Sequence, residues 1–323
     1  MTYTPEQPGR RAGNYRVGRW TLLIFGSVCL VFLIFPIWPF GSGRTAGSAW
    51  AAEPARSAAG TDTGAGTGAA AAAGQAAVPY LFINGGEAPA GNLESRFEAP
   101  PGSGRVELPA ASYGAWLRRL PVFPAGAPVR LYSGELKPRQ DVHAAVVLLD
   151  VGKRDLQQCA DAVMRLRAEY LLARGKPELI RFHPEPGRPT ALTYSGHTRE
   201  AFMRYLTRVF SEAGSASLQA ELAPVRGPVQ PGDVLIQGGH PGHAVQVLDV
   251  ATGGGKRYLL LGQSFMPAQQ LHVLKNLGAP GLSPWFDEAA LDGPPGLLTP
   301  EWWPFTRKDV RRFPALPGVA EVN

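Results

Sequence analysis

Cysteine is scarce in this sequence, and its scarcity excludes several classes of protein. Only Cys29 and Cys159 occur among the 323 residues. Two cysteines cannot form the several disulfides of a small secreted scaffold or the four-cysteine site of a structural zinc protein. The surroundings of each cysteine must therefore decide what it does.

Charge is also sparse, at 18% of residues, although the formal net charge is +6. Residues 1–19 hold four arginines against one glutamate, so this short tail carries +3, half of the excess. The rest of the chain shows no basic face, and we expect no nucleic-acid partner. The glycines Gly253–Gly255 lie between two predicted strands, which excludes a nucleotide-binding loop because such a loop precedes a helix.

One long uncharged run is present, WTLLIFGSVCLVFLIFPIWPF at residues 20–40, and it is long enough to span a bilayer. Because arginines precede it, the tail is predicted to be cytoplasmic and the main domain periplasmic or extracellular. The run is either an uncleaved anchor, which we favour, or a signal cut near Ala49–Ala51. Cys29 lies within the run and is expected to face lipid.

The remaining chain divides by composition. Residues 41–79 are rich in alanine and glycine and are predicted to be a flexible linker. Residues 80–112 form a poorly defined extended segment. Residues 113–323 mix large apolar residues with turn signals and are predicted to form the exported folded domain.

Within this domain, apolar periodicity predicts an α+β fold. A buried strand is expected at Ala144–Val151, and a helix is expected between an N-cap at Asp155 and a stop at Gly175. The charged residues of this helix should lie away from its apolar stripe, namely Arg165, Arg167, Glu169 and Arg174. Helices are also expected at Glu200–Glu212 and around Ser217–Glu221. An antiparallel meander, DVLIQGG, HAVQVLDVA and KRYLLLGQSF, follows them, with one well-buried face.

The predicted helix and meander carry residues suited to thiol chemistry. Cys159 falls in the first turns of the helix, where the dipole favours a thiolate; alternatively it is a small core residue. A cysteine nucleophile needs an imidazole base and a group that orients the base. His243 and Gln263 begin and end one predicted hairpin, so the two side chains should lie side by side. The order cysteine, histidine, amide is that of papain.

Four short matches in this order resemble the NlpC-type and CHAP amidase and endopeptidase domains: Cys159 with Ala160, Gly232 with Asp233, Gly242 with His243, and Gln263. The resemblance implies a papain-like α+β fold, with a helix packed on an antiparallel sheet. It also implies that Cys159 attacks an amide, commonly one in a peptidoglycan peptide. Longer strings, among them RDLQQCADAVMRLRAEYL and PGDVLIQGGHPGHAVQVLDVA, resemble a bacterial extracytoplasmic domain family of unknown function over most of 113–313.

Other polar residues are candidates for the walls of the same cleft. Either Gln157 or Gln158 is a candidate oxyanion donor, and His240, Gln269 and His272 are candidate cleft residues. The histidines His240, His243 and His272 lack the spacing of a metal site, so no metal and no cofactor are expected. The tryptophans Trp285, Trp302 and Trp303 either stack on sugar rings or pack in the core.

The sequence therefore predicts a single-pass, membrane-anchored thiol hydrolase or acyl-transferase acting on a cell-envelope amide. Cys159 would be the nucleophile, His243 the base and Gln263 the residue that orients it. The alternative is a non-catalytic envelope-binding or scaffold module of the same fold, with Cys159 in its core.

Overall fold

A computed structural model describes residues 77–81, 88–185 and 190–319. The predicted cytoplasmic tail, the membrane span at 20–40 and nearly all of the linker at 41–79 lie outside these ranges. Within them, no helix combines the length and the apolar character that a bilayer crossing requires.

The described chain is a mixed α/β structure in which every strand pairing is antiparallel. Nine strands form one sheet, built around the path β2-β9-β8-β7-β6-β11-β5, with β1 paired to β7 and β10 paired to β8; β3 and β4 form a separate pair. The strands are β1 (Gly104–Arg105), β2 (His143–Val146), β3 (Arg181–Phe182), β4 (Leu192–Thr193), β5 (Ala223–Pro224), β6 (Val234–Gln237), β7 (His243–Gly253), β8 (Lys256–Gln263), β9 (His272–Leu274), β10 (Trp285–Asp287) and β11 (Val310–Arg312).

Five α-helices accompany the sheet in the described ranges: α1 (Leu93–Arg96), α2 (Tyr113–Arg118), α3 (Cys159–Ala173), α4 (Arg199–Glu212) and α5 (Ser215–Glu221). Short 3-10 turns lie at Pro177–Leu179, Glu288–Asp292 and Arg307–Asp309. The predicted helices at 200–212 and 217–221 are confirmed as α4 and α5. The predicted strand at 144–151 is shorter than expected, because after Val146 the chain makes only an isolated bridge between Val147 and Val122.

Two apolar clusters cover the two faces of the sheet. Alternate residues of β6 and β7, such as Ile236 and Ala244, join a first cluster with the helices. The intervening residues, such as Leu235 and Val245, join a second cluster that includes Phe305. The expectation that β7 has one well-buried face is therefore wrong, because both of its faces are covered.

The helix α3 begins later than predicted. Asp155 does not cap it, because the Asp155 carboxylate instead accepts hydrogen bonds from the backbone N–H of Ala268 and from the side chain of Gln158. Gln158 is the N-cap, and Cys159 is the first helical residue. The helix ends as expected just before Gly175, whose φ of +66° suits glycine.

The charged residues of α3 also depart from the prediction. Arg165, Arg167 and Glu169 are buried instead of lying on an exposed face. Arg165 donates hydrogen bonds to Glu169 and to Gln157, and it forms an ion pair with Asp150. Pairing compensates the cost of burying these charges, so a helix with polar residues on several sides can still be internal.

The hairpin of β7 and β8 contains the glycine turn that the sequence predicted. Gly253 pairs with Lys256, and the two turn residues, Gly254 and Gly255, both have positive φ angles of +57° and +74°. Two left-handed residues in a two-residue turn match the twist of the flanking strands. Beyond the turn, the pairing shifts by one residue between Val247 and Asp249, so that Gln246 lies opposite Gly262. The turn and this β-bulge together put His243 and Gln263 on the same face of the sheet.

The segment before α2 contributes to the same sheet. In its described part, α1 buries Leu93, and β1 pairs with Ala251 and Thr252 at the end of β7. Ser112 then caps α2 by accepting a hydrogen bond from Ala115.

Candidate active site at the start of helix α3

Cys159 lies at the N-terminus of α3, where the loop before it is fixed by hydrogen bonds. The Asp161 carboxylate accepts from the backbone N–H of Gln158 at 3.0 Å, and the Asp155 carboxylate accepts from the amide of Gln158 at 2.9 Å. These contacts hold the chain on both sides of the N-cap. The prediction that Cys159 lies in the first turns of a helix is confirmed, and its place is the first helical residue.

Burial dominates the electrostatics of the thiol. Only 7% of Cys159 is exposed, and burial raises the pKa of the thiol to about 11. The backbone N–H groups of Ala244, Ala160 and Cys159 lower this pKa, while the charge of Asp161 raises it further. The helix N-terminus therefore does not produce a resting thiolate, because the loss of solvent outweighs its contribution.

His243 and Gln263 form the contact that the hairpin predicted. The distance from His243 Nε2 to Gln263 Oε1 is 2.8 Å, and both side chains are buried. Since the amide oxygen is an acceptor, Nε2 carries the proton in this arrangement. The other ring nitrogen, Nδ1, is buried and makes no hydrogen bond within the described structure.

Aromatic rings enclose the imidazole of His243. The ring centroid of Trp302 lies 4.8 Å away, that of Phe265 lies 5.0 Å away, and that of Phe305 lies 6.4 Å away. This apolar enclosure, by burial, lowers the pKa of His243 to about 4, although the hydrogen bond to Gln263 raises it. The imidazole is therefore neutral near pH 7, which is the form able to accept a proton.

Cys159 and His243 approach the same point of β7 from different sides. Cys159 belongs to the first apolar cluster, whereas His243 contacts Phe305 of the second. The link between them is Ala244, which directly follows His243 and whose N–H acts on the sulfur. Nδ1 has no hydrogen-bond partner among the described residues, so no hydrogen bond joins it to the thiol.

A cavity of about 370 Å³ opens beside Cys159. Its wall includes the loop His240, Pro241 and Gly242, which leads into β7. Gly242 is required here, because a Cβ at this position would lie 2.1 Å from Ser215 Oγ and 2.4 Å from the carbonyl oxygen of Gly239. Close packing of this loop thus fixes where β7, and with it His243, begins.

The cavity wall is acidic. Among the described residues, four carboxylates and no lysine or arginine line it; the four are Asp155, Asp161, Glu185 and Glu212. Burial raises the pKa of Asp161 well above its ordinary value, with the N–H of Gln158 acting in the opposite direction. Arg208 pairs with Glu212, and the raised pKa of Asp161 favours its neutral form, so the negative potential that a reagent meets in this cavity is weaker than four free carboxylates would give.

The structure separates the predicted cleft residues into two groups. Gln158 and His240 line the cavity with Cys159. Gln157 does not line this cavity, and its amide is occupied: it donates to the carbonyl oxygen of Asp150 at 3.2 Å and accepts from Arg165 at 2.6 Å. Gln269 is buried and donates to the carbonyl oxygen of Pro267.

His272 is fully buried on β9, opposite Gln263 in the sheet register. Its Nδ1 lies 2.9 Å from the carbonyl oxygen of Gln270, and its Nε2 makes no hydrogen bond in the described structure. Burial lowers the pKa of His272 to about 3; the N–H···O bond to Gln270 raises it and the charge of Lys137 lowers it. His272 therefore lies beside Gln263, on the neighbouring strand β9.

The three candidate tryptophans have different surroundings. Trp285 is buried, and its indole N–H donates to the carbonyl oxygen of Glu98. Trp302 packs on His243, and its indole N–H donates to Gln237. Trp303 is 59% exposed. Of the three, only Trp303 is free to stack on a ligand without a change in packing.

The sequence did not predict two charged residues that are linked to Gln263, namely Glu301 and its partner Lys137. The Gln263 amide nitrogen lies 3.5 Å from Glu301 Oε2, and Lys137 Nζ lies 2.6 Å and 2.8 Å from the two Glu301 oxygens. Lys137 is only 4% exposed. Lys137 precedes β2 and Glu301 lies in the TPEWWPF segment, and no periodic pattern marks either residue. Among the residues that the structure describes, no group of three or more histidine, cysteine or carboxylate side chains is arranged to hold a metal.

These features define a mixed α/β domain with a candidate cysteine, histidine and amide site at one end of an antiparallel sheet. The chain belongs to the DUF4846 family, a domain of unknown function, whose profile matches residues 93–196 and 186–312. The matched region covers roughly two thirds of the chain and includes Cys159, His243 and Gln263. No curated protein and no solved structure matches the chain.

Proposed function

We propose that this chain is a thiol hydrolase or acyl-transferase that cleaves an amide of the cell envelope. The observation that carries the proposal is the hydrogen bond between His243 and Gln263, which leaves Nδ1 of His243 unprotonated. The next residue in the chain, Ala244, is the one whose N–H acts on the Cys159 sulfur. A buried imidazole fixed in one tautomer and a thiol at a helix N-terminus are groups suited to nucleophilic catalysis.

The raised pKa of the thiol and the lowered pKa of His243 favour a neutral resting pair. In the proposed reaction, Cys159 Sγ forms a bond to the substrate carbonyl carbon while the thiol proton moves to His243 Nδ1. The same proton then passes to the amide nitrogen as the C–N bond breaks, which releases an amine and leaves a thioester. Water, or an acceptor amine, attacks the thioester and regenerates the thiol.

The mechanism requires Sγ and Nδ1 to come closer than they are in the unliganded protein. Catalytic hydrogen bonds are often long or misaligned without substrate and tighten in the complex. The N–H groups of Cys159 and Ala160 act on the sulfur and belong to the first turn of α3, whose N–H groups have no helical partner. They are suited to stabilise the oxyanion that forms during attack.

A papain-like fold is part of the same proposal. A helix that begins with the cysteine packs against β7, which begins with the histidine, and the amide follows on β8. This arrangement is the reason to propose a papain-like fold of the NlpC or CHAP type. The envelope location rests on the predicted membrane span at residues 20–40.

The test uses the purified full chain and peptides released from peptidoglycan. We expect new primary amines, detected by mass spectrometry, and a thioester or electrophile adduct on the peptide that contains Cys159. Cys159→Ser should abolish amine release, whereas the matched control Cys29→Ser should retain it. Equal amine release by wild type and Cys159→Ser would reject the proposal.

The alternative function is a non-catalytic envelope-binding module of the same fold. The observation that favours it is the separation of Cys159 and His243 between two apolar clusters, together with a thiol that is only 7% exposed. For such a module, Cys159→Ser would bind peptidoglycan fragments as well as wild type does, and neither protein would release amines.

A further inference from the structure

The orientation of the Gln263 amide decides which tautomer His243 adopts. An amide has one acceptor end and one donor end. In the structure, Oε1 faces His243 Nε2 at 2.8 Å, and the amide nitrogen faces Glu301 Oε2 at 3.5 Å. If the amide were reversed, its NH₂ group would donate to His243 Nε2, and the ring proton would move to Nδ1. Nδ1 could then no longer accept a proton.

Glu301 can select one of these orientations because an ionised carboxylate only accepts hydrogen bonds. The NH₂ end of Gln263 is favourable beside it, and the Oε1 end is repelled. An amide orientation is set by its hydrogen-bond network, and Glu301 is the charged member of this network. A buried amide beside His243 would otherwise have no strong reason to prefer one orientation.

Lys137 holds Glu301 in place through an ion pair. Its ammonium group contacts both carboxylate oxygens, and the pair is largely shielded from water, with side chains 4% and 12% exposed. Glu301 also has a φ of +71°, an uncommon conformation for a residue other than glycine. The backbone is thus held in an unfavourable conformation at the residue that meets Gln263, as is often seen at functional positions.

We infer that Glu301, held by Lys137, is a positioning residue that orients the Gln263 amide and thereby fixes the Nε2–H tautomer of His243. This inference deepens the proposed function and rests on it for its catalytic meaning. The chain of contacts runs from Lys137 through Glu301 and Gln263 to His243, and it leaves Nδ1 free at its end.

The isosteric substitution Glu301→Gln gives a sharp test. Lys137 can only donate, so it will bind the oxygen of the new amide and turn its NH₂ group toward Gln263. Gln263 must then present Oε1 to position 301 and its own NH₂ group to His243. We expect the His243 tautomer to reverse, from Nε2–H to Nδ1–H.

The measurement is ¹⁵N nuclear magnetic resonance on the full chain with labelled histidine, at a pH where His243 is neutral. The ring-nitrogen shifts distinguish the two tautomers, and His243→Gln identifies the signals of His243. The matched control is Glu288→Gln, which removes another buried carboxylate bound by arginine and should leave the His243 signals unchanged. A His243 that stays Nε2–H in Glu301→Gln overturns the inference.

A second variant covers the case in which Glu301→Gln does not fold. The double variant Lys137→Met/Glu301→Leu removes both charges and leaves neither one buried alone. It should show both tautomers, and a spectrum with Nε2–H alone overturns the inference. Amine release is measured separately: tautomer reversal without any wild-type hydrolysis supports the positioning role and rejects the proposed function, whereas hydrolysis without reversal does the opposite.

Discussion

His243 and His272 have similar burial but are hydrogen-bonded through different ring nitrogens. Both are fully buried, and both have a lowered pKa. In each, one ring nitrogen is hydrogen-bonded, and the other has no hydrogen-bond partner among the residues that the structure describes. In His243 the bonded nitrogen is Nε2, held by the side chain of Gln263. In His272 the bonded nitrogen is Nδ1, held by the backbone of Gln270.

The difference shows that burial and a shifted pKa do not by themselves mark a catalytic histidine. His272 has the lower pKa of the two, about 3 against about 4, yet it lies on β9 opposite Gln263, whereas His243 directly follows Gly242 of the cavity wall. What distinguishes His243 is its partner, a side chain that can turn, and its position directly before Ala244. The predictions below test this distinction.

The largest expected difference concerns the reactivity of Cys159. The substitutions His243→Gln and His272→Asn each keep an N–H donor near the position of the hydrogen-bonded ring nitrogen. Each removes the other ring nitrogen. We expect alkylation of Cys159 near pH 8 by a peptidyl iodoacetamide, which places its peptide in the substrate position, to slow about 100-fold in His243→Gln, because a general base is lost. In His272→Asn the rate should stay within about twofold of wild type, since His272 has no role in accepting the thiol proton.

The alkylation rates of the three unfolded proteins should be equal, which controls for reagent and pH. Equal slowing by both substitutions would show that a change in packing, and not the base, controls the thiol. No slowing by either one would leave Cys159 as an ordinary buried residue and favour the binding module.

The second difference concerns stability in mild acid. The folded pKa of His272 is lowered to about 3 from an ordinary 6.5. Between these values the unfolded chain binds a proton that the folded chain does not. The folding stability that depends on neutral His272 is therefore complete above pH 6.5, and it is lost as the pH falls toward the folded pKa. Between pH 7 and pH 5, wild type should lose about 2 kcal/mol more unfolding free energy than His272→Asn.

Urea unfolding at both pH values measures this difference. The raised pKa values of Asp161 and Glu169 act in the opposite direction, but they are common to both proteins and do not affect the comparison. His243→Gln should show a similar relief, because the pKa of His243 is lowered to about 4. Parallel stability curves for wild type and both variants would mean that neither histidine is buried in its neutral form.

The sequence could predict the contact between His243 and Gln263 because that contact is local. A single hairpin joins the two residues, and its glycine turn starts the pairing of the strands. The one-residue shift between Val247 and Asp249, which puts both side chains on one face, left no signal in the sequence. The helix of Cys159 was also predictable from its periodicity. The first residue of the helix was not predictable. Asp155 is a residue type that commonly caps helices, but its carboxylate accepts a hydrogen bond from the N–H of Ala268, which is distant in the sequence.

The parts of the site that depend on distant segments left no signal in the sequence. Lys137 and Glu301 meet only after β2, β8 and the C-terminal segment are packed together. The burial of Arg165 was equally unpredictable, because its partners Asp150 and Gln157 lie in a loop without regular structure. Periodicity reports which face of an element is apolar, and it cannot report which charges will find partners.

The smallest expected effect separates the surroundings of Cys159 from those of both histidines. In the part of the chain that the structure describes, the cavity beside the thiol is lined by four carboxylates and by no lysine or arginine. At low salt, a cationic methanethiosulfonate reagent should therefore modify Cys159 about tenfold faster than an anionic one of similar size. The preference should shrink as salt is added, because the cavity is open to solvent. His243→Gln and His272→Asn should both keep it, since neither residue lines the cavity. Loss of the preference in His243→Gln alone would show that the imidazole, and not the carboxylates, sets the potential at the sulfur.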